Sequence, residues 1–366
     1  MKAIIAGGGT GGHIYPGIAI ANEIKEREAG SEILFVGTAN GLETKIIPSY
    51  GMRLKLIRAS GMKGKSLTAL VKSVLIIPLG FLQAMYIIFS FRPDIVIGVG
   101  GYASGPTVLC AAMLLLPTMI LEQNFYPGVT NRILSKVVKR VAINFESSKQ
   151  FFNKKKVAVT GNPVRKDITK GSREEALRLW GLGDDRFTLF VFGGSQGARK
   201  INQSIVEALP HFEKYCDLLQ IIHQTGKADF ESVKEGYSSS KIRSYVAPYI
   251  NEMNHAYAVS DLVLCRAGAI ALSEIAACGK ASILVPFPYA SDNHQELNAR
   301  VLVDGGAALM VSDRELSGET LARTVTGFMM ERDKIKEMEK NSIKFSRTDA
   351  TSKIVDECGK LISGYF

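Results

Sequence analysis

A glycine-rich segment, residues 7–12, directly follows the apolar run 3–6 and fits the spacing Gly-x-Gly-x-x-Gly. Glycines at such a turn let the backbone approach a ligand closely, and the helix that follows offers its N–H groups to an anion. A dinucleotide site would also need an acidic residue at the end of the second strand to bind the ribose. That strand ends Val36-Gly37-Thr38, so an NAD site is disfavoured.

His13 comes directly after this segment and is a candidate for acid–base chemistry. It lies at the carboxyl end of the first strand, where open α/β sheets bind ligands. The positive end of the following helix should keep its imidazole neutral, which suits a general base. A second glycine-rich strand exit at 98–105 and the polar triplet 122–124 predict further groups around the same crevice. A structural His and ordinary turns would explain His13 and the glycines, but not the polar triplet.

The second half of the chain carries another set of such groups. Residues 193–197 form a glycine-rich turn that departs from the dinucleotide spacing, which favours a single diphosphate. Arg266 follows a later strand, and residues 292–295 follow another. Glu274 lies on a predicted helix, where its carboxylate could accept both hydroxyls of a ribose or could be a capping or solvated group. The sequence has no Asp-x-Asp motif and no spaced His/Cys cluster, so no metal site is predicted.

In both halves of the chain, short apolar runs alternate with helical stretches, and these are the elements that must position the groups. Continuous β-branched runs bounded by glycine, with helices between them, are typical of parallel sheets buried on both faces. The pattern restarts after residues 161–165, so we predict two doubly wound α/β domains in tandem. Helices are predicted over 16–28 and from about 333 onward. The predicted strands are 3–6, 33–37, 94–98, 118–121, 188–192, 218–222, 262–264 and 282–285.

Length and composition agree with that organisation. With 366 residues, 46% of them hydrophobic and 22% charged, the chain predicts two packed domains rather than disorder, collagen or coiled coil. Its five cysteines include no Cys-x-x-Cys pair, which favours a reducing cytoplasm over a disulfide framework. The first apolar run is too short for the core of a signal peptide.

Positive charge is concentrated in the first half, where residues 1–163 carry 19 Lys and Arg against 8 Asp and Glu. Such an excess indicates an anionic partner (nucleic acid, acidic lipid or a phosphorylated substrate), or else a basic solvated face. A nucleic-acid surface should interleave aromatic residues with the basic run at 45–72, where Tyr50 is the only one. Between Thr44 and Pro93 no residue is acidic and eight are basic, namely Lys45, Arg53, Lys55, Arg58, Lys63, Lys65, Lys72 and Arg92.

The uncharged segment 74–91 adjoins this basic run and has about the minimum length of a membrane span. A span is disfavoured because it would put the first two strands and the strand at 94–98 on opposite sides of a bilayer. Instead, the segment could form a buried helix pair, or an apolar patch that lies on a membrane face beside the basic residues.

Six motifs of the chain form one set, namely residues 8–17, 100–106, 122–124, 161–165, 193–198 and 273–275. Together they resemble the MurG family of GT-B glycosyltransferases, bacterial enzymes that add N-acetylglucosamine to lipid I and so make lipid II for peptidoglycan. The resemblance runs from the first strand to at least Asn298. One departure is Leu121, where the family often has His before Glu-Gln-Asn.

The resemblance implies two tandem Rossmann-like domains with the active site in the cleft between them. Residues 1–163, joined by a carboxyl-terminal helix at 345–366, would face the acceptor and the membrane, and 164–344 would bind UDP-N-acetylglucosamine. The implied reaction is an inverting transfer that needs no metal and no other cofactor. The 4-hydroxyl of the muramyl sugar attacks the anomeric carbon of the donor, UDP leaves, and His13 or Glu122 takes the proton.

The resemblance also implies roles for particular residues. Arg165 and the turn of Ser195 would stabilise charge that grows on the diphosphate, and the Ile250 backbone would pair with uracil. Gly101, Tyr102 and Ser104 would contact the acceptor. The donor would be held by Thr10, Gly11, Gly12, Asn124, Arg165, Ser195, Ile250, Ala269, Ile270, Ala271, Leu272, Ser273, Glu274 and Gln295.

The implied partners are UDP-N-acetylglucosamine, undecaprenyl-linked lipid I, an anionic membrane surface and cell-wall synthesis proteins, with no nucleic acid. The implied location is peripheral, on the cytoplasmic face of the cell membrane. A different enzyme that fits the same motifs is another GT-B transferase or an epimerase that acts on UDP-sugars. Outside enzymes, the charge distribution also fits a basic nucleic-acid-binding protein.

Overall fold

The computed structural model describes residues 1–59 and 67–364, without the side chains of 67–77, and divides into two compact units. The first unit comprises Met1–Val164 together with Thr348–Phe366, and the second is Arg165–Arg347. Each unit is built on its own parallel sheet. This confirms the predicted α/β fold with two doubly wound sheets. We refer to the two units as the first and second domains.

The first domain forms a seven-stranded sheet among the residues described. Its elements, in chain order, are β1 (Lys2–Gly7), α1 (Gly11–Arg27), β2 (Glu32–Gly37), α2 (Glu43–Ser49), β3 (Arg53–Leu56), α3 (Leu67–Phe91), β4 (Ile95–Gly100), α4 (Ser104–Met113), β5 (Thr118–Glu122), α5 (Val129–Leu134), β6 (Arg140–Ile143) and β7 (Val157–Val159), with α14 (Ala350–Ser363) from the carboxyl terminus.

The strands of this sheet lie in the order β3-β2-β1-β4-β5-β6-β7, so the direction of winding reverses between β1 and β4. Alternate residues of the central strands enter two different cores. Ile5 and Ile97 pack into one core and Ile4 and Val96 into the other, which is why the strands are apolar throughout. Ligands of such sheets bind at the carboxyl ends of the strands beside the reversal point. The loops after β1 and β4 are therefore the expected binding edge.

The second domain repeats this plan with six parallel strands in the order β10-β9-β8-β11-β12-β13, and the reversal falls between β8 and β11. Its elements are α6 (Arg173–Trp180), β8 (Phe187–Phe192), α7 (Arg199–Phe212), β9 (Leu219–Gln224), α8 (Phe230–Ser238), β10 (Arg243–Ala247), α9 (Met253–Val259), β11 (Leu262–Cys265), α10 (Ala269–Ala277), β12 (Ser282–Leu284), α11 (His294–Asp304), β13 (Ala308–Met310), α12 (Gly318–Met330) and α13 (Arg332–Ile343).

The eight strands predicted from the sequence are all present, and their ends agree within two residues. Helix α1 begins at Gly11 rather than at 16, because Gly11 and Gly12 already form its first turn. The sequence did not predict the outer strands β3, β6, β7, β10 and β13, which have three to five residues each.

The carboxyl-terminal helix α14 completes the core of the first domain. Ile354 and Cys358 are fully buried in the same core as Ile5. Two ion pairs flank this apolar face, since Arg27 of α1 pairs with Asp356, and Arg140 of β6 pairs with Glu357 at 2.8 Å. The chain therefore returns to its first domain after completing the second.

Segment 74–91 lies within one continuous helix, α3, so the buried helix pair is wrong. One face of this helix packs into the first domain through Ala84, Ile87, Ile88 and Phe91. Among residues 1–59 and 67–364, no helix combines the length and apolar character needed to cross a bilayer.

Candidate active site

The glycine turns after β1 and β4 meet at the edge where the winding of the first sheet reverses. The Gly8 N–H donates to the Gly100 carbonyl at 3.2 Å. A methyl group added at Gly101 would lie 2.3 Å from the Gly8 carbonyl oxygen, and one at Gly100 would lie 2.5 Å from Nδ1 of His13. His13 is half-buried in the first turn of α1, where its backbone N–H donates to the Thr10 carbonyl at 3.1 Å. Only glycine at 100 and 101 lets the turn after β4 approach both the turn after β1 and the imidazole of His13 so closely.

Glu122 ends the neighbouring strand β5 and is only 3% exposed. Its carboxylate accepts hydrogen bonds from the backbone N–H groups of Asn124 and Gly128, both at 3.0 Å, and from the Asn131 side chain at 2.9 Å. Burial raises the pKa of Glu122, and these donors oppose that shift. Both oxygens are thus engaged in shaping the turn 123–128 that presents Asn124. This arrangement favours a positioning role for Glu122 over proton transfer, and it leaves His13 as the better candidate base.

The residues expected to contact the acceptor differ in exposure. Tyr102 is exposed and Gly101 half-buried, whereas Ser104 is fully buried in the first turn of α4. The Ser104 hydroxyl packs so closely on Gly98 that a methyl group there would lie 2.4 Å from it. Leu121, the departure from the resembled family, is buried in the core shared with α1 and α14.

In the second domain, Ser195 is exposed on the turn between β8 and α7. Gln224, the last residue of β9, joins this turn to the segment after β10. Its amide donates to the Gly194 carbonyl at 3.1 Å, and its oxygen accepts from the Ile250 N–H at 2.9 Å. Because the Ile250 N–H is engaged there, its carbonyl is the backbone group suited to a uracil N–H. Gln224 was not predicted as a site residue, although it is a polar residue at the end of a strand like the residues that were.

Helix α10 begins at Ala269 after the exit of β11, and Ala269, Ile270 and Ala271 form its first turn. The first N–H groups of a helix have no partner within it and suit an anionic diphosphate. Leu272 is buried, so its side chain belongs to the core, while Ser273 donates its hydroxyl to the Ala269 carbonyl at 2.9 Å.

Glu274 lies one turn further along α10 and is 6% exposed. The Tyr257 hydroxyl donates to its Oε2 at 3.2 Å, and Nε of Arg165 lies 3.8 Å from its Oε1. Burial raises the pKa of Glu274 to about 6, although Arg165 and Tyr257 favour the ionised form. The structure thus brings Arg165 and Glu274 together, as a binding site for a charged, hydroxyl-bearing ligand requires. Because Tyr257 lies within α9 and not at the end of a strand, no motif of the sequence indicated its part in this group.

The exit of β12 is held by Arg266 and Gln295. Arg266 donates to the carbonyls of Val285 and Pro286 at 3.2 and 3.1 Å and pairs with Asp313, so it is a structural clamp. Gln295, in the first turn of α11, accepts from the Phe287 N–H at 3.0 Å. Within the described residues, no cluster of three or more His, Cys, Asp or Glu side chains could hold a metal ion.

Each of the two doubly wound domains gathers glycine turns and polar groups at the carboxyl ends of its strands, which is the architecture of the GT-B fold. Family models agree, since the glycosyltransferase family 28 N-terminal domain matches residues 3–143 and the C-terminal domain of that family matches 188–354. The chain therefore belongs to glycosyltransferase family 28 and, within it, to the MurG family of N-acetylglucosamine transferases.

Relatives that match nearly the whole chain support this assignment. The UDP-N-acetylglucosamine–N-acetylmuramyl-(pentapeptide) pyrophosphoryl-undecaprenol N-acetylglucosamine transferase of Myxococcus xanthus is 46% identical over 362 residues, which are 99% of this chain and 93% of the relative. The enzyme of the same name from Thermodesulfovibrio yellowstonii is 44% identical and covers 99% of both chains. The crystal structure of Acinetobacter baumannii MurG is 29% identical with a TM-score of 0.79, covering 98% of this chain and 99% of that one.

Proposed function

We propose that this enzyme transfers N-acetylglucosamine from UDP-N-acetylglucosamine to the muramyl sugar of undecaprenyl-linked lipid I and so forms lipid II. The relatives, which share 44–46% of their residues with it over nearly the whole chain, carry this proposal. The transfer makes one bond between the 4-hydroxyl oxygen and the anomeric carbon, and it breaks the bond from that carbon to the diphosphate.

The proposed roles follow from the local chemistry of each domain. His13 accepts the proton of the attacking hydroxyl, and Asn124, held by Glu122, binds sugar hydroxyls. In the second domain, the turn of Ser195, the start of α10 and Arg165 stabilise the negative charge that grows on the departing UDP. Glu274 accepts the ribose hydroxyls. Because cationic and N–H groups serve this purpose, the proposed reaction needs no metal ion.

Transfer and metal independence can be tested together with purified enzyme, UDP-N-acetylglucosamine and a lipid I analogue with a shortened prenyl chain. We expect one UDP released per disaccharide formed, and the same rate with excess EDTA as without it. A rate that EDTA abolishes and Mg²⁺ restores would contradict the metal-independent mechanism. Epimerisation of the donor without transfer would instead support a UDP-sugar epimerase.

We further propose that the first domain binds the cytoplasmic face of the cell membrane, because the undecaprenyl chain of the acceptor stays in the bilayer and nucleotide sugars are cytoplasmic. An exposed apolar stripe on α3 supports this location. Leu79, Leu82, Tyr86 and Phe89 follow one another at helical spacing, and Tyr86 is 73% exposed. Arg53 and Lys55 line the same groove as Leu82 and Tyr86, so cations adjoin the stripe.

Vesicle binding should respond separately to the apolar and the charged parts of this surface. Changing Leu82, Tyr86 and Phe89 together to Ser should weaken binding at low and high salt alike, because salt does not screen apolar contacts. Changing Arg53 and Lys55 to Gln should weaken binding to anionic vesicles about 30-fold, at about 1 kcal/mol per cation, and should remove much of its salt dependence. Co-sedimentation with anionic and zwitterionic vesicles at several salt concentrations measures both effects.

A matched control changes three exposed apolar residues of the second domain, Leu179, Leu218 and Met330, to Ser and should leave binding unaltered. Equal losses in both triple variants, or no vesicle binding by the native protein, would contradict the proposal. The basic run predicted to lie at the membrane also includes Lys63 and Lys65, which lie outside the described residues. The side chains of Lys72 and of Leu75 in the apolar segment lie outside them as well.

A further inference from the structure

Glu43, in the first turn of α2, has a carboxylate that is buried beside the glycine turn after β1. Its side chain is only 1% exposed. Its Oε2 accepts from the Gly9 N–H at 2.7 Å, and its Oε1 accepts from the Thr38 N–H at 2.8 Å and from the Thr38 hydroxyl at 2.9 Å. One side chain thereby joins the turn after β1 to the end of β2.

Three glycines from different segments make room for this carboxylate. A methyl group added at Gly8 would lie 2.3 Å from Cδ of Glu43, one at Gly37 2.6 Å from Cγ, and one at Gly41 1.9 Å from Oε2. Real side-chain atoms do not approach so closely, so Glu43 in this position requires glycine at all three sites. Glycine is thus required at 37 and 41 to make room for the Glu43 side chain, whether or not a ligand binds.

The carboxylate occupies the place where a dinucleotide-binding domain has its ribose-binding acid, at the end of β2 beside the glycine turn. In this chain, however, both of its oxygens are engaged by three donors of the protein. A buried carboxylate with both oxygens engaged accepts hydrogen bonds from the protein's own N–H groups, in the way that a bound anion would. Glu43 is therefore unsuited to bind a nucleotide in the first domain.

We infer that Glu43 is a positioning residue, a built-in anion that fixes the turn 7–12 and thereby places Thr10 and His13 for catalysis. The Gly8 N–H donates to the Gly100 carbonyl, and the N–H of the adjoining Gly9 donates to the Glu43 carboxylate. Thr10 follows directly, and its carbonyl accepts the His13 N–H. This inference rests on the proposed function, because it assigns His13 the role of base.

The replacement Glu43→Gln tests the inference, since it keeps the size of the side chain but turns one acceptor into a donor that faces an N–H group. We expect kcat to fall about 10- to 100-fold, because misplacing a reacting group by about 1 Å has effects of that size. UDP affinity should change much less than kcat, because Arg165, Glu274 and the start of α10, the groups proposed to bind UDP, all lie in the second domain. Amide hydrogen exchange in a peptide that covers residues 7–13 should become faster, while exchange in α14 should not.

Two further variants keep the test decisive. Glu357→Gln removes the partner of Arg140 in the same domain, away from the turn, and should keep the native kcat and the native exchange of 7–13. Glu43→Asp keeps the charge but is one methylene shorter, so it should fold and lose less activity than Glu43→Gln. Equal loss of kcat in Glu357→Gln, or native exchange of 7–13 in Glu43→Gln, would overturn the inference.

The result for His13→Ala separates this inference from the proposed function. If His13→Ala loses activity while Glu43→Gln keeps the native kcat, the proposed function stands and Glu43 has no positioning role. If both variants keep the native kcat, the assignment of His13 fails, and the inference fails with it.

Discussion

Replacing His13 with Ala should lower kcat by about 10²–10⁴, because a general base acts on the proton in the transition state. The imidazole lies in the first turn of α1, directly against the Gly100 backbone at the exit of β4. This position at the reversal point of the sheet is where a doubly wound domain binds its ligand. UDP affinity should stay within about twofold, since transition-state groups need not contribute to ground-state binding. Steady-state transfer kinetics and UDP titration measure the two quantities.

His211 provides a control of the same residue type. It lies exposed near the end of α7 in the second domain, and His211→Ala should keep the native kcat. A His13→Ala enzyme with the native rate would contradict the assignment and would direct attention to Glu122. That carboxylate would first have to release the donors of Asn124, Gly128 and Asn131 before it could accept a proton. The structure therefore makes Glu122 a weaker candidate for the general base than its position in the sequence suggested.

The central strands and their exits were predictable from the sequence because one physical rule covers both. A strand buried on both faces must be apolar throughout, and it must end where the chain turns toward a helix. Glycines and polar residues at those ends, such as His13, Asn124 and Ser195, are then visible without any structure. The outer strands lack this signal, since β3 (Arg53–Leu56) alternates basic and apolar residues and is largely exposed.

Contacts between distant segments could not be predicted in this way. The sequence shows no acid at the end of β2, yet the structure places the Glu43 carboxylate there from the following helix. The prediction against an NAD site in the first domain stays a prediction, but its physical reason is different, because an acid is present at this place and both of its oxygens are engaged. In the same way, the engagement of Glu122 and the burial of Ser104 depend on neighbours that a linear motif does not show.

Replacing Glu274 with Ala should weaken binding of UDP and of UDP-N-acetylglucosamine equally, by roughly 1–3 kcal/mol, because ribose hydroxyls would lose their acceptor. This loss corresponds to about 5- to 150-fold in Kd. The effect should be the same for both ligands since the ribose is common to them. Calorimetric titration of each ligand measures it. Unchanged UDP affinity would mean that Glu274 serves only Tyr257 and Arg165, and that the donor site lies elsewhere.

The raised pKa of Glu274 adds a pH dependence with a definite sign. Its pKa is about 6 in the folded protein, against an ordinary value of 4.5, and the main cause is burial. Between these values the folded state binds more protons than the unfolded state, so this residue's contribution to stability falls as pH rises from about 4.5 to 6. At pH 7 the ionised carboxylate therefore costs the ligand-free protein about 2 kcal/mol. Hydroxyl donors of a bound ribose would favour the ionised form and offset part of that cost.

The neutral replacement Glu274→Gln should consequently separate stability from binding. At pH 7 it should stabilise the ligand-free second domain by up to about 2 kcal/mol, because the buried charge is gone, while UDP binds more weakly. In the native enzyme the affinity for UDP-N-acetylglucosamine should fall as pH drops from 7 to 5, and its binding near pH 6 should release protons, because the ribose selects the ionised carboxylate. The sugar nucleotide is used here instead of UDP because its diphosphate is esterified at both ends, whereas the terminal phosphate of UDP itself titrates near pH 6. Titrations in buffers of different ionisation enthalpy would detect this release, which Glu274→Gln should abolish. If the variant is less stable at pH 7, or if it keeps the native pH dependence of the affinity for UDP-N-acetylglucosamine, the ionised Glu274 is a structural ion-pair partner of Arg165 and not the acceptor of the ribose.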